Sequence, residues 1–406
     1  MQRTFTILLL GSLLLLLLPP GVAQAATFIV NTVDDLDDGL CDSVHCSLRE
    51  ALAAAEAAPG LDTISFDTPG AGPHVIVPTT PYPTISQPLA LDGTTEPDYV
   101  DLPVIVIHGT YVDPLFNFTG DGSTIRGLSL SHLSVTGINI SGDNNVIEGN
   151  LIGIDALSGE ADGARDALYI TGDNNRIGGT TAAQRNVISA SQTGVNLQNR
   201  ARDNRVEGNY IGTDPTGTLA MGNQVGVNLG NEAEDNTIGG TLPEQRNIIS
   251  GNNQFGVLID SQGSLYNNLR NTIEGNYIGV DVTGSAALPN HIGVQAQRAS
   301  VFPTGYAIVT IEENVISGNT GSAVVLTSTS RWGEVRGNYI GTDASALLAI
   351  PNGDAGMVIA GLDHVIGGLT APVRNIIAGN QGAGIVIEGA NGVFVQNNYI
   401  GVNAAD

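Results

Sequence analysis

Side chains that could carry acid–base chemistry are sparse in this sequence. Six histidines stand singly at positions 45, 74, 108, 132, 291 and 364, and all fifteen cations are arginine. A nucleophile elbow, a phosphate-binding loop and a histidine metal motif are absent. Only one segment mixes bases and acids, namely Arg200, Arg202 and Arg205 with Asp203 and Glu207, and a solvated turn explains it. No catalytic residue is therefore predicted.

An acidic loop near the N-terminus is the candidate metal site. Asp34, Asp35, Asp37 and Asp38 precede Gly39 within a few residues. Hard oxygens converging within one turn are the ligands that calcium prefers. The loop lacks the terminal glutamate of a helix-flanked calcium loop. Calcium binding and a purely solvated acidic loop both remain open interpretations.

A recurring tyrosine is the candidate ligand-binding feature. It occupies one position of a repeated phrase, GNYIG or NNYIG, at Tyr210, Tyr277, Tyr339 and Tyr399. If the following isoleucine points inward, strand alternation turns the tyrosines outward as an apolar ridge. The ridge would stack against a glycan or dock another surface protein. Alternatively, the loops that follow fold back and cover it with Leu219, Met221, Leu347 and Leu348.

Asparagine is the most regular polar residue in the sequence. It tolerates the left-handed backbone at a corner between strands, and its amide can bond to the equivalent amide one repeat later. We therefore predict an internal ladder, and a ligand-binding role is the alternative. The predicted ladder consists of Asn150, Asn186, Asn209, Asn247, Asn276, Asn314, Asn338, Asn375 and Asn398.

These residues recur because the chain is an array of repeats. The phrase around Asn150 returns at Asn209, Asn276, Asn338 and Asn398, at intervals of 59, 67, 62 and 60 residues. A second phrase alternates with it, at residues 184–189, 245–250, 312–317 and 373–380. The unit is thus about 30 residues with three short period-2 strands, which bury their apolar faces only when stacked. This pattern predicts an all-β parallel β-helix, right-handed by the rule for parallel crossovers.

Charge restricts the class of partner. Forty acidic residues against fifteen cations give a net charge of -25. Such a surface repels nucleic acid and anionic lipid, so nucleic-acid binding is excluded. Acidic polysaccharides are also disfavoured unless a metal ion bridges the charges.

The N-terminus predicts export. Arg3, the apolar run at 7–18, a Pro-Pro break and a small-residue site ending at Ala25 are typical of a signal peptide over residues 1–25. An uncleaved anchor is the alternative, but the run is too short to span a bilayer. After cleavage the chain would not be an integral membrane protein. Cys41 and Cys46 then predict a local disulfide, with free thiols as the alternative.

A short helix is predicted next. Ser47 and Glu50 form a capping box, Leu48 and Leu52 fall on one helical face, and Pro59 ends the helix. Such a helix suits the open apolar end of a solenoid. We predict a cap over residues 26–60, irregular coils over 61–136 and regular coils over 137–406.

One motif carries a family resemblance. Residues 46–51 read CSLREA, and the chain resembles the bacterial CSLREA-domain proteins, secreted right-handed parallel β-helix proteins similar in fold to pectin lyases. The resemblance implies export, a capped β-helix and a role at the cell surface. It supplies no catalytic residues.

Pectin-lyase-like enzymes typically need converging carboxylates and a nearby arginine or lysine. No carboxylate occurs at the middle positions of the glycine-led strands: Asn139, Tyr169, Asn196, Asn228, Leu258, Gln295, Val325, Val358 and Val386. We therefore predict a structural, adhesive or glycan-binding protein. A polysaccharide lyase or glycoside hydrolase is the alternative.

Overall fold

The chain forms three long parallel sheets whose strands follow one another in rotation along the sequence. A computed structural model describes residues 25–260, 269–297, 307–402 and 404–405. Within these ranges the sheets contain 13, 12 and 10 strands. The predicted signal peptide lies outside the described residues except for Ala25. The fold is the predicted right-handed parallel β-helix.

The three sheets are numbered in the order in which each coil visits them. Sheet 1 consists of Thr27–Val30, Asp62–Phe66, Leu89–Asp92, Thr124–Arg126, Val146–Glu148, Arg176–Gly178, Arg205–Glu207, Thr237–Gly239, Leu269–Glu274, Ala307–Glu312, Glu334–Arg336, Val365–Gly367 and Phe394–Gln396. Sheet 2 consists of His74–Ile76, Ile105–His108, Leu128–Ser131, Leu151–Ile152, Val187–Ile188, Tyr210–Ile211, Ile248–Ile249, Tyr277–Ile278, Val315–Ile316, Tyr339–Ile340, Ile376–Ile377 and Tyr399–Ile400. Sheet 3 consists of Phe116–Phe118, Thr136–Ile140, Asp166–Ile170, Thr193–Leu197, Val225–Gly230, Phe255–Asp260, Ile292–Gln297, Val324–Leu326, Met357–Ile359 and Ile385–Ile387.

Helical segments are few among the described residues. The α-helix α1 spans Leu48–Ala57, and single 3-10 turns occur at Gly93–Thr95, Ala182–Gln184, Pro243–Gln245 and Ala371–Val373. In the described part of the chain, every helix falls short of the length and apolar character needed to cross a membrane.

Stacking in register builds one aliphatic core. Ile211 pairs with Ile249 and Ile249 with Ile278, so the same inward position is filled in successive coils. All three side chains are fully buried. Burying each of these side chains contributes about 1.5–3 kcal/mol. Since two-residue strands bury so little alone, each coil depends on the coils on either side.

The predicted asparagine ladder is confirmed. The backbone N–H and Nδ2 of Asn209 donate to Oδ1 of Asn247 at 2.9 and 3.1 Å, and Asn247 donates likewise to Asn276 at 3.2 and 2.9 Å. The same double link joins every consecutive pair of the nine predicted residues. Each Nδ2 also donates to a backbone carbonyl of sheet 1, as Asn247 does to Val206. The ladder therefore satisfies the buried polar groups of the corner before sheet 2.

Two further ladders run along the other corners. One lies before sheet 1 and links Asn145, Asn175, Asn204, Asn236 and Asn271. The other lies between sheets 2 and 3 and links Asn223, Asn252, Asn290, Asn319, Asn352 and Asn380. These two columns were not predicted from the sequence.

The N-terminal cap forms as predicted. The side chain of Ser47 accepts from the backbone N–H of Glu50 at 3.2 Å, and Glu50 Oε2 accepts from the N–H of Ser47 at 2.8 Å. Leu48 and Leu52 are buried against the first coil, with α1 packed on Thr27–Val30 and Asp62–Phe66. Cys41 and Cys46 form the predicted disulfide. The helix thus covers the first rung of the core.

We expect Asn247→Ala to reduce the free energy of unfolding by about 3 kcal/mol or more, because each buried group left without a partner costs about 1–3 kcal/mol. The groups affected are the N–H of Asn209 and the carbonyl of Val206, whereas Nδ2 of Asn209 keeps its bonds to the carbonyls of Ile177 and Glu207. Urea unfolding followed by circular dichroism measures the loss. The exposed Asn253 provides the control, and Asn253→Ala should change stability by at most about 0.5 kcal/mol. Equal effects of the two substitutions would contradict a stabilising ladder.

Candidate functional site

The predicted tyrosine ridge is covered over most of its length. Tyr210 is only 5% exposed and packs in a small cluster with Leu151, Val187 and Ile248. The loop that follows folds back over the ring, and a side chain at Gly217 would approach Tyr210 Cε2 to 2.9 Å. Glycine is required there, since Gly217 also has a φ of +70°. Tyr210 is therefore covered by the loop that follows it, which is the alternative interpretation to an exposed ridge.

Arginines cover the tyrosines from the preceding coil. The guanidinium carbons of Arg185 and Arg246 lie 4.2 and 4.1 Å from the ring centroids of Tyr210 and Tyr277. Arg185 Nε also donates to the carbonyl of Gly208. These repeated arginines thus support the corners and leave little surface of the two rings for a ligand.

The covering residues are only in part the expected ones. Met221, which was expected, and Val282 pack against the apolar cluster that contains Tyr210. Ala344 packs against the next cluster along the column, as Tyr277 and Tyr339 do. Leu219 and Leu348 instead point outward, with 64% and 67% of their surfaces exposed. Of the four tyrosines, Tyr399 in the last described coil is the exposed one, at 36%. A continuous binding ridge of Tyr210, Tyr277, Tyr339 and Tyr399 is thus not formed, because the loops and arginines occupy its surface.

The repeated aspartates cap these loops. Asp214 Oδ1 accepts from the backbone N–H groups of Thr218 and Leu219 at 3.0 and 2.9 Å. Asp343 Oδ1 bonds in the same way to Leu347 and Leu348. Burial acts to raise the pKa of Asp214, but these hydrogen bonds outweigh it and hold the pKa below its usual range.

The four carboxylates predicted to bind calcium do not converge. Asp34 and Asp37 accept from backbone N–H groups of their own loop, as does Asp38 through one oxygen. Asp35 instead pairs with Arg49 at 2.9 Å and accepts from Thr79. The set Asp34, Asp35, Asp37 and Asp38 therefore provides no shared group of oxygens for an ion, because each member has a different partner.

His45 holds the acidic loop on the cap helix. Its Nε2 lies 3.1 Å from Asp34 Oδ1, and its Nδ1 lies 3.0 Å from Glu50 Oε2. The hydrogen bond to Asp34, together with the charges of Glu50 and Asp38, raises the pKa of His45 above its usual value. For Asp34 and Glu50, burial acts to raise the pKa, but their hydrogen bonds outweigh it and lower the pKa.

Two of the histidines that stand alone in the sequence meet in space. The rings of His108 and His132, in adjacent coils, lie 4.3 Å apart between centroids. His108 Nε2 is 2.9 Å from Asp155 Oδ2, and His132 Nδ1 is 3.7 Å from the same oxygen. This cluster lies just after sheet 2, on the turn toward sheet 3. This cluster could not be predicted from the sequence, because coil length is irregular in this region.

The outer face of sheet 3 carries a polar and aromatic column. Tyr169 pairs in register with Asn139 on one side and Asn196 on the other, and Asn117 and Asn228 extend the column. Their strand neighbours, such as Leu168 and Ile170, are fully buried in the core. Strand alternation therefore turns the column to the outside. Farther along, the column is aliphatic at Leu258, Val325, Val358 and Val386, with the polar Gln295 between the first two.

A shallow groove lies at the polar end of this column. Its volume is about 260 Å³. The lining residues are Asp113, Pro114, Asn117, Thr136, Asn139, Arg165 and Tyr169. Three successive coils contribute to it, so the groove runs across the strands of sheet 3.

Hydrogen bonds hold the amides of the column in place. Asn139 Nδ2 donates to Asn117 Oδ1 at 2.7 Å, and Asn117 Nδ2 donates to Thr84. The hydroxyl of Tyr169 accepts from Asn199 Nδ2 at 3.0 Å, which fixes the ring without covering its groove side. Asparagine amides offer both donors and acceptors, and a tyrosine ring offers an apolar face. This combination suits a ligand rich in hydroxyl groups.

One arginine and two carboxylates lie at the groove. Arg165 and Asp113 line it, and Asp166 lies behind, with Oδ2 accepting from Arg165 Nε at 2.9 Å. Asp166 Oδ1 accepts from Asn196 Nδ2 at 2.8 Å, and the residue is 3% exposed. Asp166 thus positions Arg165 and is closed to a ligand. Asp113 Oδ1 accepts from the N–H of Thr136.

Comparisons with known proteins concern the fold alone. The chain is similar to the crystal structure of pectate lyase Pel9A, with 14% identity, a TM-score of 0.42 and coverage of 93% of this chain and 79% of that one. The chain is also similar to the Dettilon tailspike protein, with 15% identity, a TM-score of 0.45 and coverage of 91% of this chain and 70% of that one. A third similar structure is the mannuronan C-5 epimerase AlgE4 A-module of Azotobacter vinelandii, with 14% identity, a TM-score of 0.41 and coverage of 91% of this chain and 98% of that one. The chain matches no protein-family model and no curated protein. The resemblance to CSLREA-domain proteins therefore stays a prediction.

The cap should lose stability as pH rises. Because the pKa of His45 is raised in the folded state, its stabilising contribution is fully present below the unfolded pKa of about 6.5 and is lost as pH rises through the folded pKa. We expect the melting temperature of the wild type to fall more than that of His45→Gln between about pH 6 and pH 9. His291→Gln, at an exposed histidine, is the control. Parallel pH profiles for wild type and His45→Gln would refute this role.

Proposed function

We propose that the protein is a secreted or cell-surface β-helix protein that binds polysaccharide along the polar end of sheet 3. The observation that carries the proposal is the groove between Asn117, Asn139 and Tyr169, where fixed amides surround an accessible aromatic ring. A concave site with a few placed polar groups and an aromatic wall is the usual form of a small-ligand or sugar site. The rigid stack of coils presents this site without a flexible loop.

The proposed ligand is a neutral glycan. The chain carries a net charge of -25, and Arg165 is the cation that lines the groove. Asp166 already pairs with that arginine, and Asp113 adds a further negative charge. A polyuronide would therefore be repelled, whereas the hydroxyl groups of a neutral sugar match the amides of Asn117 and Asn139.

The disulfide of the cap is consistent with export. Cys41 and Cys46 are joined in a disulfide, and such bonds persist in oxidising compartments outside the cytosol. The predicted signal peptide agrees with this location. A protein that displays a glycan-binding face outside the cell would serve in adhesion or in anchoring to a matrix.

Tyr169→Ala should weaken glycan binding by about 10-fold or more, because loss of a central aromatic contact typically costs about 2 kcal/mol and roughly 1.4 kcal/mol corresponds to a factor of ten. Binding is measured by calorimetry against a panel that includes cellulose, xylan and dextran oligosaccharides as neutral ligands and pectin and alginate oligosaccharides as acidic ones. The Tyr169 side chain lies outside the core, so the circular dichroism spectrum should not change.

Tyr399→Ala is the matched control, since Tyr399 is an exposed tyrosine of sheet 2 at the far end of the solenoid. It should leave binding unchanged. If Tyr399→Ala abolishes binding and Tyr169→Ala does not, the site lies on the tyrosine column. If the wild type binds none of the panel, glycan binding is not its function.

Polysaccharide cleavage in the same groove is the second candidate function. The observation in its favour is that Arg165 lines the groove together with Asp113 and is hydrogen-bonded to Asp166. Against it, Asp166 is buried with both oxygens bonded, and an arginine stays protonated at neutral pH and is a poor general base.

Incubation of the wild type with the polysaccharide panel, with and without calcium, separates the two functions. We expect neither chain shortening nor unsaturated ends. Cleavage that is lost in both Asp113→Asn and Arg165→Ala would establish the enzymatic function in place of simple binding.

A further inference from the structure

A cluster in the first irregular coils, with His74 and Glu96 buried and the side chain of Asp98 37% exposed, is unrelated to the sheet 3 groove. It consists of His74, at the start of its strand in sheet 2, and Glu96 and Asp98, in the segment after the turn Gly93–Thr95. The three donor atoms lie within 4.8 Å of one another. In the next coil the position of His74 is occupied by Ile105, an ordinary core residue. A histidine at an inward-facing position requires a polar partner.

The imidazole of His74 lacks that partner. The residue is 5% exposed, and its Nε2 atom is buried without a hydrogen bond. Nε2 lies 3.7 Å from Glu96 Oε1 and 3.8 Å from Asp98 Oδ1, both beyond hydrogen-bond distance. Asp98 Oδ1 is likewise buried without a hydrogen bond. The two carboxylates thus stand at nearly equal distances from one unsatisfied nitrogen.

The backbone fixes both carboxylates in this orientation. Glu96 begins a turn, in which the N–H of Tyr99 donates to the carbonyl of Glu96 at 2.9 Å. Within this turn the carboxylates of Glu96 and Asp98 both face His74. The second oxygen of Glu96 accepts from the N–H of Thr68 at 3.0 Å, and that of Asp98 accepts from the N–H of Gly72. Each carboxylate is therefore held through one oxygen and directs the other toward the imidazole.

Charge and spacing suit a cation between the three groups. Two carboxylates face Nε2 at 3.7 and 3.8 Å, and neither is in direct contact with it. An ion about 2.1 Å from Nε2 and from one of these oxygens would have an angle of about 120° between them, close to tetrahedral or trigonal geometry. Metal-ligating carboxylates are characteristically oriented by hydrogen bonds to their other atoms, as these are.

We infer that His74, Glu96 and Asp98 form a structural site for a first-row divalent cation, with zinc as the fitting member. One imidazole nitrogen and two carboxylate oxygens match the ligands that zinc takes, whereas calcium takes six to eight oxygens. The site joins the loop after the second strand of sheet 1, the first strand of sheet 2 and the segment after Gly93–Thr95. An ion there stabilises the least regular coils, which lack the asparagine ladders of later ones.

The other two histidine–carboxylate clusters among the described residues differ in one respect. His108 Nε2 is hydrogen-bonded to Asp155 at 2.9 Å, and His45 lies 3.0 Å from Glu50 and 3.1 Å from Asp34. In these clusters the imidazole already contacts a carboxylate directly, and in both it is partly exposed. They supply matched controls for a metal-binding experiment.

The test loads full-length protein with zinc, removes free metal by dialysis and measures bound zinc by atomic emission. We expect about one ion per chain. His74→Gln and Asp98→Asn should each weaken zinc binding by about 100-fold or more, since loss of a partner that only orients a ligand already costs roughly 10–100-fold. His45→Gln and His108→Gln should retain the ion. Zinc should also raise the melting temperature of the wild type, and chelation should reverse this.

Asp98→Asn guards against a folding defect in His74→Gln, and the circular dichroism of both variants is compared with that of the wild type. Wild-type protein that retains no zinc and has the same melting temperature with and without chelator would overturn the inference and leave a water molecule as the partner of His74. Loss of zinc in His45→Gln or His108→Gln, with retention in His74→Gln, would place the site elsewhere and overturn it equally.

Discussion

Hydrogen bonding from each coil to the next is the constraint on which this protein depends. Its strands are as short as two residues, so none can satisfy its backbone groups or bury its side chains by itself. The asparagine ladders extend the same bonding through the corners, where backbone direction changes and no sheet exists. Three such columns, one at each corner, continue the hydrogen bonding between coils through the turns of the solenoid.

This regularity decides where ligands can be bound. A position repeated in coil after coil becomes a column that stabilises its neighbours, and its polar atoms are then already bonded. The tyrosines of sheet 2 illustrate this, because arginines and loop glycines that recur with them cover their rings. The asparagines of sheet 3 face outward instead, where they hydrogen-bond to one another and still border an open groove.

Titratable groups concentrate where the repeat is weakest. Four histidines, at positions 45, 74, 108 and 132, precede the regular coils. Each contacts or faces a carboxylate, and together they form the three candidate clusters. Coils of unequal length bring together residues that the repeat does not place in one column. The cap and the first coils therefore cover the end of the core and also contain these histidine–carboxylate clusters. The groove at Arg165 begins at the border of this region.

Sequence alone predicts the fold, the three strands in each coil, the nine-residue ladder, the disulfide and the capping box, because these depend on periodicity and on contacts between residues close in the chain. Asn209, Asn247 and Asn276 form one column for that reason. Which surfaces stay open and which side chains meet depends instead on the three-dimensional packing. The cover over Tyr210, the divergence of Asp34 from Asp35, the meeting of His108 with His132 and the unsatisfied nitrogen of His74 depend on loop paths and on coil lengths in the irregular region. The repeat does not specify these features, because it sets the position of each coil along the solenoid axis, whereas packing determines the course of the loops.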